Sequence, residues 1–314
     1  MSSSSGPEPT PQLDVAEIEQ AEELERPPAA ERALGEGERG PRGRGWVTVA
    51  WALPGGLWLG FFLLAPLVFI VLVSFWTYQL GAKSGFTTKW TTANYGTIIH
   101  TSTYWHNMLG SLYTSLIAVA ACLVLGFPVA YFLALKVQNL RNQIALFIIA
   151  LAPFWTSFLV RSVAWTYPLS EVLAKLGIST PSSASVRLAL IQLYILFMIT
   201  PLFFTLAQVD RTAIEAARDL GGNWWRTFMA VILPQALPGI VIGSIFIFVL
   251  TMGEYGTVLV VGQNFVQSVG TIVNSYITNA VEYPQGAAAA VLLVLALIAG
   301  VFAITRFANL REEL

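Results

Sequence analysis

Six apolar runs separated by short polar stretches occupy residues 55–306, near 55–78, 111–135, 144–165, 188–209, 237–261 and 286–306. A helix needs about 20 apolar residues to cross a bilayer at a rise of about 1.5 Å each, and every run is long enough. The pattern predicts an all-α membrane protein, a helical bundle of six spans. Polar residues intrude at the ends of the third and fifth runs and blur those boundaries. Pro128, Pro153 and Pro201 lie inside the second, third and fourth runs. Each removes a helical hydrogen bond and invites a kink, which either shapes packing or provides a hinge. The G-x-x-x-G pairs Gly56/Gly60 and Gly239/Gly243 permit close helix approach.

Composition sharpens this picture. The chain is 55% hydrophobic and 11% charged with a mean hydropathy of +0.65, against about 25% charged residues in soluble domains. The net charge of −1 hides a split, because residues 1–45 carry ten acidic and five basic side chains. That segment is rich in Ser, Glu, Pro and Gly and buries too little apolar surface to fold, so it reads as a disordered acidic tail. A short helix near Val15–Leu24 is compatible with its pattern. No apolar h-region of a signal peptide opens the chain. Cys122 lies in an apolar run and reads as a small hydrophobe. His100 and His106 fall in a polar stretch without neighbouring ligands, so no metal site and no cofactor are expected.

Lys and Arg in the flanking loops set the orientation. With the N-terminus inside, the cytoplasmic flanks hold Arg39, Arg42, Arg44, Lys136, Arg141, Arg211, Arg218, Arg226, Arg306 and Arg311. The outer loops hold only Lys83, Lys89, Lys175 and Arg187. Both termini, and the loop 210–236, are therefore expected in the cytoplasm.

That loop is the most informative stretch. Asp210, Arg211, Glu215, Arg218, Asp219 and Arg226 make it polar, yet Ile214, Ala217, Leu220, Trp224, Trp225 and Phe228 recur at helical spacing. Gly221 and Gly222 break the pattern, which predicts a short helix, a turn and a second helix leading to Pro234. Such an element either lies at the lipid interface or inserts into a partner's groove.

Glu215, Ala216, Ala217, Gly221, Leu233 and Pro234 stand at the spacing EAA-x3-G-x9-hydrophobic-x-LP. This resembles the cytoplasmic EAA loop of permease subunits of type I ABC importers, with Val231 where isoleucine is common. PFWTSFLVRSVAW (153–165), GFPVAYFLA (126–134), MGEYGTVLVVG (252–262), ANYGTI (93–98) and YPQGAAAAVLL (283–293) are similar to spermidine/putrescine-type permeases. The resemblance covers residues 55–306 and implies the type I importer permease fold in a bacterial cytoplasmic membrane. It also implies polyamine cargo, ABC ATPase subunits docking on the loop, a second homologous permease and an extracytoplasmic solute-binding protein. Nucleic acid is not an expected partner. The same subfamily includes importers of ferric iron, phosphonate-like compounds and thiamine, so other cargo stays open.

Two ionisable residues fall inside predicted spans, Arg161 in the third and Glu254 in the fifth. Charges at such depth are costly, so they either pair and fix the helices or serve the transport path. For a polyamine, Glu254 is the natural cation contact, with Tyr255, Tyr167 and Trp155 available for cation–π contacts. Arg161 would repel that cargo and instead orients an acid or gates. No P-loop, HExxH or GxSxG motif is present, so enzymatic activity is not expected and ATP hydrolysis falls to a separate subunit. An ion-coupled secondary transporter is the rival reading, although the two halves show no convincing repeat.

Overall fold

The computed structural model describes residues 45–79, 86–278 and 282–312. The expected tail therefore lies outside the described residues as far as residue 44, together with the helix near Val15–Leu24. The chain divides into two units, Met1–Ala65 and Pro66–Leu314. Helix α1 (Gly45–Ser74) supplies the described part of the first, where Trp51, Leu57, Trp58 and Phe61 are exposed and Trp58 stacks near Phe62.

In the second unit α1 ends at Ser74, short of the expected 78. The Asn94 side-chain amide donates to the carbonyls of Ser74 and Trp76, both at 2.8 Å, and captures groups a continuing helix would need. The chain turns into β1 (Trp76–Tyr78), which pairs antiparallel with β2 (Phe86–Trp90). This hairpin is aromatic and β-branched, a strand composition hidden at the end of an apolar run.

Helix α2 (Ala93–His100) leads to α3 (Ser102–Tyr131), which continues as a π-helical turn over Phe132–Lys136. This second span starts nine residues before the expected 111, and His106 lies inside it rather than in a loop. Its first turns are held by Tyr104, whose hydroxyl donates to the Ala289 carbonyl at 3.0 Å.

The third run is not one straight span. Helix α4 (Leu140–Leu151) passes through a 3-10 turn (Ala152–Trp155) and bends by 74° into α5 (Phe158–Thr166). Thr156 donates its hydroxyl to the Pro153 carbonyl at 2.7 Å, so the helical ladder stops there. Next come α6 (Ser170–Lys175) and α7 (Ser183–Ala207). A reciprocal cap between Ser182 and Ser185 starts α7 early, which moves Arg187 from the expected outer loop into the helix.

Helix α8 (Arg211–Asp219) is followed by α9 (Trp224–Thr227), a π-helical turn over Phe228–Ile232, and α10 (Leu233–Met252). From Trp224 to Met252 the apolar helix is long enough to cross a membrane, so the second helix of the loop is also the start of the fifth span. That span ends at Met252 and not at the expected 261. Gly253–Tyr255 break it before α11 (Gly256–Gly262); α12 (Val269–Thr278) and α13 (Tyr283–Glu312) complete the chain. Among the described residues five helices are long and apolar enough to cross a membrane, and the bent α4–α5 pair, taken as one span, makes six.

The main core lies where α3, α7 and α10 meet, around Cys122, Met198, Leu202, Leu206 and Ile247. Close approach there depends on glycine. A Cβ at Gly243 would stand 2.6 Å from the Met198 sulfur, and one at Gly239 would strike Thr205 and the Pro201 carbonyl. The second G-x-x-x-G pair thus seats α10 on the Pro201 turn of α7. A Cβ at Gly56 or Gly60 would meet open space. A second core joins Tyr104, Met108, Met252, Val269 and Ala288.

Candidate functional site

Two constellations stand out, one at each end of the fifth span. The first is the loop 210–236. Asp210 starts α8 by accepting from the Thr212 backbone N–H at 2.8 Å and from the Thr212 hydroxyl at 2.8 Å. Gly221 and Gly222 end it. Gly221 has φ +79°, its N–H donates to the Arg218 carbonyl at 2.8 Å, and the Gly222 N–H donates to the Ala217 carbonyl at 3.0 Å. These two bonds form a Schellman C-cap, and its left-handed position is the motif glycine. A Cβ at Gly222 would collide with the Ala217 carbonyl oxygen, so that neighbour is restricted by space where Gly221 is restricted by φ. Asn223 then caps the next helix by accepting from the Arg226 N–H at 2.9 Å.

The loop is anchored inward by apolar side chains and presents a mixed polar and apolar face outward. Ile214 and Phe228 pack against the main core, while Glu215, Ala216 and Leu220 are exposed, Leu220 to 90%. Ala217 is half-buried. Trp224 stacks on Phe228 with centroids 5.4 Å apart, and Phe228 meets Phe127 of α3 edge-on at 5.5 Å. These rings join the start of the fifth span to α3. Leu233 and Pro234 follow directly on the π-helical turn Phe228–Ile232, within the continuous apolar helix Trp224–Met252.

The Asp210 cap titrates. The Thr212 hydroxyl, and second its backbone N–H, hold the Asp210 carboxyl below the ordinary carboxylate range. A lowered folded pKa means the cap contributes fully above the unfolded value of about 3.9 and is lost as pH falls through the folded value. Asp210→Ala should speed amide exchange at Thr212 and Ala213 severalfold at neutral pH, and wild type should approach the variant on strong acidification. Equal exchange at neutral pH would remove the cap from the account.

The second constellation lies beyond Met252. Glu254, expected inside the fifth span, sits in the break between α10 and α11. Its carboxylate accepts from the Thr257 backbone N–H at 2.7 Å and from the Tyr194 hydroxyl of α7, and its own carbonyl accepts from the Ser268 hydroxyl at 2.8 Å. Arg161 and Ser162 face this break from α5. Ser162 and Thr257 share a hydroxyl contact of 3.3 Å, and a Cβ at Gly256 would lie 3.2 Å from the Phe158 ring. The Arg161 Nε and Nη1 are buried without a hydrogen-bond partner. Arg161 and Glu254 do not pair with each other; among the described residues no carboxylate comes within 4.0 Å of the guanidinium. Trp155 and Tyr167 are 75% exposed and Tyr255 51%, and no hydrogen bond joins the first two to Glu254 among the described residues. Tyr194 is the partner that sequence reasoning missed. Its signal is a hydroxyl set between Leu193 and the apolar run Ile195–Ile199.

Six candidate spans among the described residues, a capped amphipathic loop before the fifth and a broken helix after it define a multi-span helical membrane protein. The chain belongs to the family described as binding-protein-dependent transport system inner membrane component, whose model matches residues 126–312. It is 32% identical over 248 residues to the spermidine/putrescine transport system permease protein PotB of Escherichia coli (strain K12), covering 75% of this chain and 88% of that protein. PotB of Salmonella typhimurium (strain SL1344) is equally similar, at 32% over 248 residues with 75% and 85% covered. Among solved structures, a bacterial ABC transporter importing the acidic polysaccharide alginate has a chain that aligns at 17% identity and TM-score 0.59, covering 85% of this chain and 96% of that one. The fold is that of the type I ABC importer permeases, and the chain is a multi-pass transport subunit.

Proposed function

We propose that this permease carries polyamines inward across the cytoplasmic membrane, with both termini in the cytoplasm. The 32% identity to two spermidine/putrescine permeases over 248 residues carries the cargo assignment. Chemistry supports it. Glu254 offers a carboxylate outside regular helix, with two acceptor sites occupied by Tyr194 and Thr257 and further lone pairs free for an ammonium. Tyr255, Trp155 and Tyr167 present exposed rings that suit cation–π contact. Arg161, half-buried and with its Nε and Nη1 lacking hydrogen-bond partners, repels a second cation and so favours release once cargo has moved past Glu254.

Energy comes from partners. ABC ATPase subunits grip the exposed Glu215–Ala216 and Leu220 face of α8. A second homologous permease completes the path, and an extracytoplasmic solute-binding protein delivers cargo. Nucleotide-driven closure of the ATPase pair moves α8, and the Trp224–Phe228–Phe127 stack passes that movement to the spans.

The test is reconstitution of the chain with a partner permease, an ABC ATPase and a solute-binding protein. Labelled spermidine should enter vesicles only with ATP and binding protein present. Uptake driven by an ion gradient alone would contradict the reading, and so would ATP-driven uptake of a metal or anion without spermidine competition.

A further inference from the structure

Between the inner end of α3 and helix α8 lies a cavity of about 220 Å³, which shares Glu215 with the proposed ATPase-facing side of α8. Lys136 enters it from the π-helical end of α3, and Arg211 and Arg218 enter it from α8. Glu215 is the single carboxylate in the lining, and Leu135 and Ile214 form an apolar wall. No carboxylate lies within 4.0 Å of any of the three cations among the described residues. Three cations thus converge on one hollow with a surplus of positive charge and no ion pair inside the chain to offset it. All three cations are exposed, so the hollow offers its surplus positive charge to an anion at the membrane surface.

We propose that this cavity holds the phosphate of an anionic phospholipid. Two guanidinium forks can each grip phosphate oxygens in bidentate fashion, and a lysine adds a point charge. Lys136 ends the long apolar stretch Ser102–Lys136, which places the hollow at headgroup depth. The apolar wall fits the first carbons of a lipid and offers nothing to free inorganic phosphate. A lipid seated there ties the moving helix α8 to the end of α3, so membrane charge tunes how readily α8 shifts. The inference rests on the cytoplasmic placement proposed above.

The experiment is native mass spectrometry of the purified full chain with phosphatidylglycerol or phosphatidylcholine added in turn. Wild type should retain one phosphatidylglycerol in preference to phosphatidylcholine. Lys136→Gln and Arg211→Gln should each lower that retention about fivefold, and Lys136→Arg should keep it. Lys175→Gln, a cation away from the hollow, should have no effect. Equal retention of both lipids, or retention indifferent to Lys136 and Arg211, would overturn the proposal. Displacement of the lipid by inorganic phosphate would assign the hollow to free phosphate and overturn the lipid. Loss of preference only when the ATPase is bound would assign it to an acidic ATPase segment and do the same. Labelling of Lys136→Cys by an impermeant maleimide in inside-out vesicles reads the orientation separately.

Discussion

Gly222→Val is expected to abolish spermidine uptake while leaving the spans folded and ATP hydrolysis running. The added Cβ would collide with the Ala217 carbonyl oxygen, a backbone atom that cannot rotate away. The Schellman turn must open, and α8 loses the orientation in which its outer face can be gripped. Overpacking costs about 1–3 kcal/mol, and the upper end lowers the competent population roughly 100-fold. Position 221 makes the contrast. Its φ of +79° strains any L side chain but leaves open space, so Gly221→Asn should keep most uptake and Gly221→Val should lose much of it. Uptake and hydrolysis measured together on the three variants check the order. Normal uptake by Gly222→Val would mean that the loop's shape is irrelevant to coupling.

Glu254→Gln carries the second large effect. Glutamine keeps one oxygen for the Thr257 N–H and turns its NH2 toward the Tyr194 hydroxyl, which then accepts instead of donating, so the break between α10 and α11 survives. What disappears is the charge. A hydrogen bond to a charged group contributes about 1.5–3 kcal/mol, so spermidine uptake should fall about 10- to 100-fold with assembly unchanged. Tyr194→Phe should have a milder effect, because it frees one carboxylate oxygen but leaves the charge. Unaltered uptake by Glu254→Gln in a fully assembled transporter would remove this residue from the cargo path.

The apolar runs make the six-span bundle legible, because a bilayer demands length and apolarity and both are written locally. The loop was legible for the same kind of reason. Its polar residues, its helical period and its paired glycines are all short-range signals, and the helix–turn–helix they predict is the one formed. What the sequence concealed depends on long-range partners. Asn94 stops α1 from a distance of about twenty residues, and no hydropathy window contains that bond. Thr156 and Pro153 turn the third run by 74°, whereas a proline alone predicts only a kink. Glu254 looked like a charge within a span because the apolar run continues past it as α11. The break became visible only with Gly253 ending α10 and Tyr194 reaching the carboxylate from α7.

The most direct test is photo-crosslinking from Leu220, which is 90% exposed on the outer face of the loop. A benzophenone side chain at that position, in membranes containing the whole transporter, should trap an ABC ATPase subunit with a yield that changes on ATP binding. Adducts only with lipid or with an extracytoplasmic protein, in membranes that still take up cargo, would contradict the account.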